Sequence, residues 1–435
     1  MLIIQNEKIL DLIHYHYSLQ DIQTLIAFLE HQKTLEFIPL TNGLFSAAVT
    51  NDADYTGYTN VWIRDNIHVA YAHLLNNQVE VAIKIIRTLV KYFQKYQYRF
   101  QDIIEGKVDK NEVMKRPHVR FNGEKLEEIS QAWNHAQNDA LGYFLWFYCQ
   151  LVRRELLIPQ ADELEILALF PVYFDAIAYW QDEDSGHWEE DRKIEASSIG
   201  VVVAALQELQ LVVTEALLGD NFRYKDQFIT VNFLLELINK GQISLNQILP
   251  FECIQKKPKN RKYDAALLFL IYPLQIIQGE MAEKILNHVI NHLQGNYGIR
   301  RYLDDTFWCR DYQDIPQEIR TTISLEREQW FAENNWQLKT GEEAQWCIFD
   351  SIISAIFGIK YQQTLHPKYL QTQTYYLNRS LGQLTATNHN FGAWRCPELY
   401  YLEKGHYLPG DATPLLWTQA NLKIALTMMK KSLEF

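Results

Sequence analysis

Ala140-Leu141-Gly142-Tyr143-Phe144-Leu145-Trp146-Phe147-Tyr148 is apolar on every side of a helix. A surface helix keeps one polar face, so a helix of this kind is enclosed by neighbours on several sides. It lies inside a longer helical pattern, 134–154. Similar patterns recur at 79–97, 163–180, 196–216, 228–240, 262–277, 280–293, 344–358 and 414–430. Strand signals are confined to short segments near 44–49 and 297–303. Recurring helices joined by polar and aromatic loops predict an all-α chain, with an inner ring of helices enclosed by an outer ring. An α-solenoid would need a fixed repeat period, and none is visible.

Composition narrows the function. The 435 residues are 48% apolar and 22% charged, enough to bury a large core. No apolar run approaches a membrane-spanning length, and Met1-Leu2-Ile3-Ile4-Gln5-Asn6-Glu7 lacks the basic start and apolar core of a signal peptide. The chain reads as soluble and cytoplasmic, with no membrane partner. A net charge of −12 argues against nucleic acid, which needs a basic surface. The local run Lys256-Lys257-Pro258-Lys259-Asn260-Arg261-Lys262 reads as a solvated loop. Cysteines at 149, 253, 309, 347 and 396 are odd in number and form no CxxC, so neither a disulfide framework nor zinc is expected. His135 has no suitably spaced partner ligand, and no metal or cofactor is expected.

Aromatic residues make up 13% of the chain, and several stand beside charged groups: Trp62, Trp133, Trp188, Trp308, Trp346 and Trp394. Rings next to hydrogen-bonding groups suit carbohydrate, which offers C–H faces and hydroxyl edges.

Five segments carry candidate chemistry. In Tyr58-Thr59-Asn60-Val61-Trp62-Ile63-Arg64-Asp65-Asn66, the Arg64–Asp65 pair opens a helix. It either grips sugar hydroxyls or serves as a helix cap and structural ion pair. Gln131-Ala132-Trp133-Asn134-His135-Ala136-Gln137-Asn138-Asp139 packs an indole, amides, an imidazole and a carboxylate into one helix start, as a subsite or as a polar cap. Ser185-Gly186-His187-Trp188-Glu189-Glu190-Asp191, followed by Glu195-Ala196-Ser197-Ser198-Ile199-Gly200, places carboxyls beside an indole. A desolvated carboxyl stays protonated near neutral pH and can act as an acid. The alternative is a solvated, charged helix start. In Tyr297-Gly298-Ile299-Arg300-Arg301-Tyr302-Leu303-Asp304-Asp305, an extended backbone would turn Arg301 toward a cleft and Arg300 outward. The alternative is a surface salt-bridge loop. In Ala393-Trp394-Arg395-Cys396-Pro397-Glu398-Leu399-Tyr400-Tyr401, one carboxylate stands in an aromatic setting and is the best partner for Glu189. There is no GxSxG elbow, P-loop or HExxH. Two separated carboxylates remain, which is the usual requirement for glycoside hydrolysis.

In this order, these segments resemble glycoside hydrolase family 15, the glucoamylase family. The nearer likeness is to its regulatory branch, the α and β subunits of phosphorylase kinase. The resemblance also rests on Tyr263-Asp264-Ala265-Ala266-Leu267-Leu268 and Gln294-Gly295-Asn296-Tyr297-Gly298, and it spans about residues 40 to 425. It implies an (α/α)6 barrel, a six-hairpin toroid, formed by a single domain over 1–435 with residues 1–40 as a helical lead-in. It also implies that Glu189 is the general acid and Glu398 the general base. Arg64, Asp65 and Arg301 would bind the terminal sugar, with Trp133 and Trp188 walling the pocket and Glu190 tuning the acid or binding a hydroxyl. Leu399 follows Glu398 where glucoamylases commonly have Gln, and this Pro-Glu-Leu-Tyr-Tyr form resembles the kinase subunits. Two readings follow. One is an inverting, exo-acting hydrolase of α-glucans or α-glucosides. The other is a non-catalytic regulatory protein that binds oligosaccharide and has a protein partner.

Overall fold

Helices buried around their whole circumference form the centre of the molecule. The computed structural model describes residues 2–48, 57–219, 222–320 and 323–434. Its helices are α1 (Leu19–His31), α2 (Ile63–Leu75), α3 (Val79–Lys95), α4 (Tyr98–Ile104), α5 (Asn138–Arg153), α6 (Ala161–Ile177), α7 (Ala196–Thr214), α8 (Val231–Ile248), α9 (Leu268–Ile271), α10 (Gly279–His288), α11 (Gln317–Arg320), α12 (Ser324–Glu333), α13 (Phe349–Thr364), α14 (Pro367–Gly382) and α15 (Leu416–Leu433). Helix α2 buries every residue from Ile63 to Leu74, and α5 buries all of the apolar stretch Ala140–Tyr148. Contacts run α2–α5–α7–α9–α13–α15 and return to α2, closing a ring. Outside it, α3 packs on α2, α6 on α5, α8 on α7, α10 on α9, α14 on α13 and α1 on α15. This is an all-α (α/α)6 barrel.

Sequence explains which helices are outer. Helix α3 buries Ala82, Ile85, Ile86, Leu89, Val90 and Phe93, a single stripe at i, i+3, i+4 spacing. Inner helices approach each other closely. A Cβ on Gly142 of α5 would stand 3.0 Å from a Val201 methyl and 3.2 Å from its backbone on α7. A larger residue there would wedge the ring apart. Helix α1 is capped by Ser18 and Asp21, and it joins Leu377, Leu381, Leu422 and Leu426 in a second apolar cluster. Helix α7 is long and apolar enough to cross a membrane by length and composition, which the sequence reading did not register. In the structure it is an inner barrel helix, buried from Ala196 through Leu206.

Several boundaries differ from expectation for local reasons. The 134–154 helix starts only at Asn138. Its first amides, those of Asn138 and Asp139, are taken by Asp184 Oδ2 at 2.9 Å and Ser198 Oγ at 3.1 Å. Trp133 and Gln137 therefore precede the helix and do not share a helical face. The 262–277 helix breaks into a short 3-10 turn (Ala265–Leu267) and α9, because Pro273 forces Tyr272 into an extended conformation. The 280–293 helix ends in a π turn at Val289–Leu293. At 44–49 the backbone makes a single bridge, Ala48 to Leu415; Val49 lies outside the described residues. Segment 297–303 bridges only at Ile299, to Gln294 and Trp346, and bends from Arg301 onward.

Short strands tie loops together at the ends of helices. Strand β1 (Val61–Trp62) pairs with β2 (Arg120–Asn122), which pairs with β3 (Glu127–Glu128). A hairpin joins β4 (Arg223–Tyr224) to β5 (Gln227–Phe228). Strand β6 (Gln345–Trp346) pairs with β7 (Leu399–Glu403), which pairs with β8 (His406–Pro409). The registers Trp62↔Arg120 and Trp346↔Leu399 bring segments distant in sequence to one place.

Candidate active site

A cavity of about 520 Å³ opens among these loops. Its lining includes all eight residues expected from the sequence: Arg64, Asp65, Trp133, Trp188, Glu189, Glu190, Arg301 and Glu398.

Glu189 sits on a sharp turn. A short 3-10 turn, Gly186–Trp188, ends with Glu189 in the left-handed region at φ +61°. Such a conformation costs a non-glycine residue about 1 kcal/mol or more and collects at functional sites. It is held by a bond from the Glu189 amide to Ser185 O (2.9 Å) and one from Asn134 Nδ2 to Glu189 O (2.8 Å). Gly186, at φ +47°, cannot be replaced without collision, because a Cβ there would strike the Glu195 carboxylate. The side chain of Glu189 accepts a hydrogen bond from Trp62 Nε1 at 2.7 Å and lies 3.6 Å from Arg64 Nη1. Burial pushes its carboxyl up, while Arg64, Arg120 and the Trp62 bond pull against that rise. The solvated helix start is thereby excluded: α7 begins only at Ala196.

Glu398 arrives from the opposite loop. Its backbone is pinned by Glu398 N to Ala412 O (3.0 Å) and Cys347 N to Glu398 O (2.8 Å). Its side chain accepts from the Tyr58 hydroxyl at 2.7 Å. Burial pushes its carboxyl up to about 8; the Tyr58 bond and Arg301 oppose this, and Asp65 and Glu189 add to it. Burial likewise lifts Asp65 to about 7, against Arg64. These three carboxyls share one cavity, where Glu189 adds to the rise of both Asp65 and Glu398.

The cationic residues are held in place. Arg64 Nε donates to Asp139 at 2.9 Å and Nη2 to Gln137 Oε1 at 3.1 Å, and its guanidinium lies over Trp417. Only Nη1 is left to face Glu189. Arg301 binds Asp305 through Nε (2.7 Å) and Nη2 (2.8 Å), leaving Nη1 without a protein partner among the described residues. The Asp65 carboxylate is not hydrogen-bonded by another side chain among the described residues. The Arg301 Nη1, the Arg64 Nη1 that faces Glu189 and the Asp65 carboxylate together offer the alternating donors and acceptors that suit a sugar. Arg300 turns away to Glu343 at 3.1 Å, as the sequence alternation predicted, although the backbone there bends.

Aromatic walls complete the site. Trp188 donates Nε1 to Asp264 at 2.9 Å, and its ring meets Trp346 and Phe349. Trp133 stands edge-on to Trp62 and carries the Arg120 guanidinium 3.9 Å above its ring. Glu190 lines the cavity, but both its oxygens are already engaged. Oε1 accepts from Arg327 (2.6 Å) and Arg301 (3.1 Å), and Oε2 accepts from the Ser324 amide (2.7 Å). Burial would lift its carboxyl, but Arg327 and Arg301 outweigh this and hold it down at about 2.

Sequence reasoning missed Tyr58 and marked Trp62 only as a ring suited to carbohydrate, not as the donor to Glu189; both lie in one quoted segment, four residues apart. It had no signal for Arg120, Arg327 or Trp417, which reach the site from β2, α12 and α15. Among the described residues, no group of three or more His, Cys, Asp or Glu side chains could hold a metal ion.

Trp62→Phe keeps a ring but removes the donor to Glu189. The Glu189 carboxyl should then titrate at higher pH than in the wild type, read by carboxyl carbon NMR. An unmoved titration would count against the Trp62 bond as a restraint on that rise. A second expectation concerns stability. Folded Glu398, at about 8, keeps a proton that an unfolded glutamate loses near 4.3. The native state therefore binds more protons between those values, and stability must fall as pH rises through that window, by about 1.4 kcal/mol per pH unit for each such group. Melting temperature should decline from pH 5 to 8 in the wild type and decline less steeply in Glu398→Gln; parallel slopes would refute it.

A model of glycosyl hydrolases family 15 matches residues 30–395, ending just short of Glu398. The probable phosphorylase b kinase regulatory subunit alpha of Caenorhabditis elegans is 26% identical over 419 residues, covering 86% of this chain and 31% of that protein. The chain thus spans about a third of this relative's length. A glycosidase variant solved in complex with glucose superposes with a TM-score of 0.66 at 15% identity, covering 94% of this chain and 97% of that one. A glucoamylase from Saccharomycopsis fibuligera gives a TM-score of 0.59 at 14% identity, covering 96% and 99%. At these identities the structural likeness concerns the fold.

Proposed function

Because the chain belongs to glycoside hydrolase family 15, we propose that it is an inverting, exo-acting hydrolase that releases glucose from α-glucans or α-glucosides. One observation carries the proposal: Glu189 and Glu398 reach one cavity from separate loops, each bound by a single aromatic donor, Trp62 or Tyr58. Arg64 Nη1, Arg301 Nη1 and Asp65 hold the terminal glucose, and Trp133 and Trp188 wall it. Glu189 protonates the glycosidic oxygen as the bond to the anomeric carbon breaks. Glu398 takes a proton from the water that attacks that carbon from the opposite face. The released sugar is then β-glucose.

The second reading is a regulatory protein that keeps the pocket and binds oligosaccharide without turnover. It is favoured by the kinase regulatory relative and by Leu399, which follows Glu398. Incubation with maltooligosaccharides, isomaltooligosaccharides and trehalose separates the two. Released β-glucose supports the hydrolase, whereas saturable binding without release supports the regulator.

A further inference from the structure

The loop that carries Glu189 is closed at its base and held by backbone on one side only. Asp184 and Lys193 exchange two backbone hydrogen bonds, at 3.0 and 2.9 Å, and tie its ends together. The half that leads to Glu189 is fixed locally. The Ser185 amide donates to Ala136 O at 2.6 Å, Trp188 Nε1 donates to Asp264, and Glu189 itself is held by Ser185 O and Asn134. The returning half differs. Among the described residues, no backbone–backbone hydrogen bond holds Glu190, Asp191 or Arg192. Lys193 Nζ donates to Asp191 O at 2.5 Å, a bond within the loop's own base.

Side chains anchor this half to a helix far along the chain. Asp191 Oδ2 accepts from Ser324 Oγ at 2.5 Å and from the Leu325 amide at 2.9 Å. Glu190 accepts from the Ser324 amide and from Arg327. Both carboxylates thus meet the first turn of α12 through charge-assisted bonds, which are the stronger kind. The left-handed backbone of Glu189 is unfavourable for a residue with a Cβ and persists only under restraint from its surroundings. Released on its returning side, the turn can relax, and the Glu189 carboxyl then leaves Trp62 Nε1, now 2.7 Å away. We propose that Asp191 is a positioning residue whose grip on α12 holds the Glu189 turn and so aims the proton donor. Asp191 lies outside the cavity lining, so it acts through Glu189 and not on the sugar. The inference rests on the reading of Glu189 as the general acid.

Four proteins test it: wild type, Asp191→Ala, Asp191→Asn and Ser324→Ala. Hydrogen exchange of the Trp62 indole N–H, read by NMR, is set beside kcat and KM on maltooligosaccharides. In Asp191→Ala the indole proton exchanges about tenfold faster and kcat falls about tenfold, the worth of one charge-assisted hydrogen bond. KM stays within about threefold, because Arg64, Asp65 and Arg301 still hold the sugar. Asp191→Asn keeps an oxygen for Ser324 Oγ and the Leu325 amide, and returns both readouts toward wild type. Ser324→Ala deletes one donor, shifts both readouts the same way by about threefold, and supplies the answer if Asp191→Ala does not fold. An Asp191 that only stabilised the fold would lower the melting temperature and leave indole exchange and kcat unchanged below it. That result overturns the proposal, as does a KM that rises as much as kcat falls, or an Asp191→Asn variant as impaired as Asp191→Ala. A wild type that releases no glucose overturns the hydrolase reading alone, and indole exchange still decides whether Asp191 holds the turn.

Discussion

Glu189→Gln is expected to lower glucose release by at least about 10³-fold while leaving saccharide affinity within a few-fold, the separation that distinguishes proton transfer from binding. The amide keeps an oxygen for Trp62 Nε1 and for Arg64, so the sharp turn and its neighbours have no reason to move. What disappears is a proton that can be given to the glycosidic oxygen. Burial lifts the Glu189 carboxyl, so its ionised form is a cost to the fold. A neutral amide removes that cost, and the variant should melt no lower than the wild type. Function would thus be lost without loss of stability, as expected where an active site stores unfavourable electrostatics. Measured kcat and KM on maltooligosaccharides, with melting temperature alongside, check both halves. A variant that retains more than a tenth of the activity would remove Glu189 from the mechanism.

The barrel was legible because its inner helices carry their burial in composition. Ala140–Tyr148 and the run Ile199–Leu206 are apolar all round, and in this fold a surrounding shell of helices satisfies such a surface. The break before Pro273 was signalled by the proline, but the apolar spacing of 262–277 ran through it and was read as one helix. The late start of α5 was not, since it depends on Asp184 and Ser198 capping from elsewhere in the chain.

The site was legible where chemistry is contiguous, as in Arg64–Asp65 and Trp188–Glu189. It was opaque where one residue acts through a neighbour distant in sequence. Arg120 reaches Trp62 and Trp133 only because Trp62 pairs with Arg120 across two short strands. Glu190 was expected to tune the acid or bind a hydroxyl; the structure engages both its oxygens with Arg301, Arg327 and the Ser324 amide. A carboxylate's type is visible in sequence, but whether its oxygens are already occupied is not.

Glu398→Gln should be nearly as damaging as Glu189→Gln, with glucose release down by about 10²–10⁴-fold, because general-base help to water is lost. The change keeps the oxygen that accepts from Tyr58 and removes the capacity to take a proton. In the wild type, Glu398 ionises near 8, so activity should climb with pH toward that value; the acid limb should vanish in Glu398→Gln. Since burial lifts both Glu189 and Glu398, their electrostatics do not by themselves say which gives and which takes the proton. Chemical rescue does. In Glu398→Ala the space beside Tyr58 opens, and azide should attack the anomeric carbon there while Glu189 still protonates the leaving oxygen. The product is β-glucosyl azide, and turnover returns at least in part. Rescue of Glu189→Ala with no rescue of Glu398→Ala would exchange the two roles. Rescue of neither, with saccharide bound and no glucose released by the wild type, would leave a pocket that recognises glucan without cutting it, and Leu399 after Glu398 would then mark the regulatory branch.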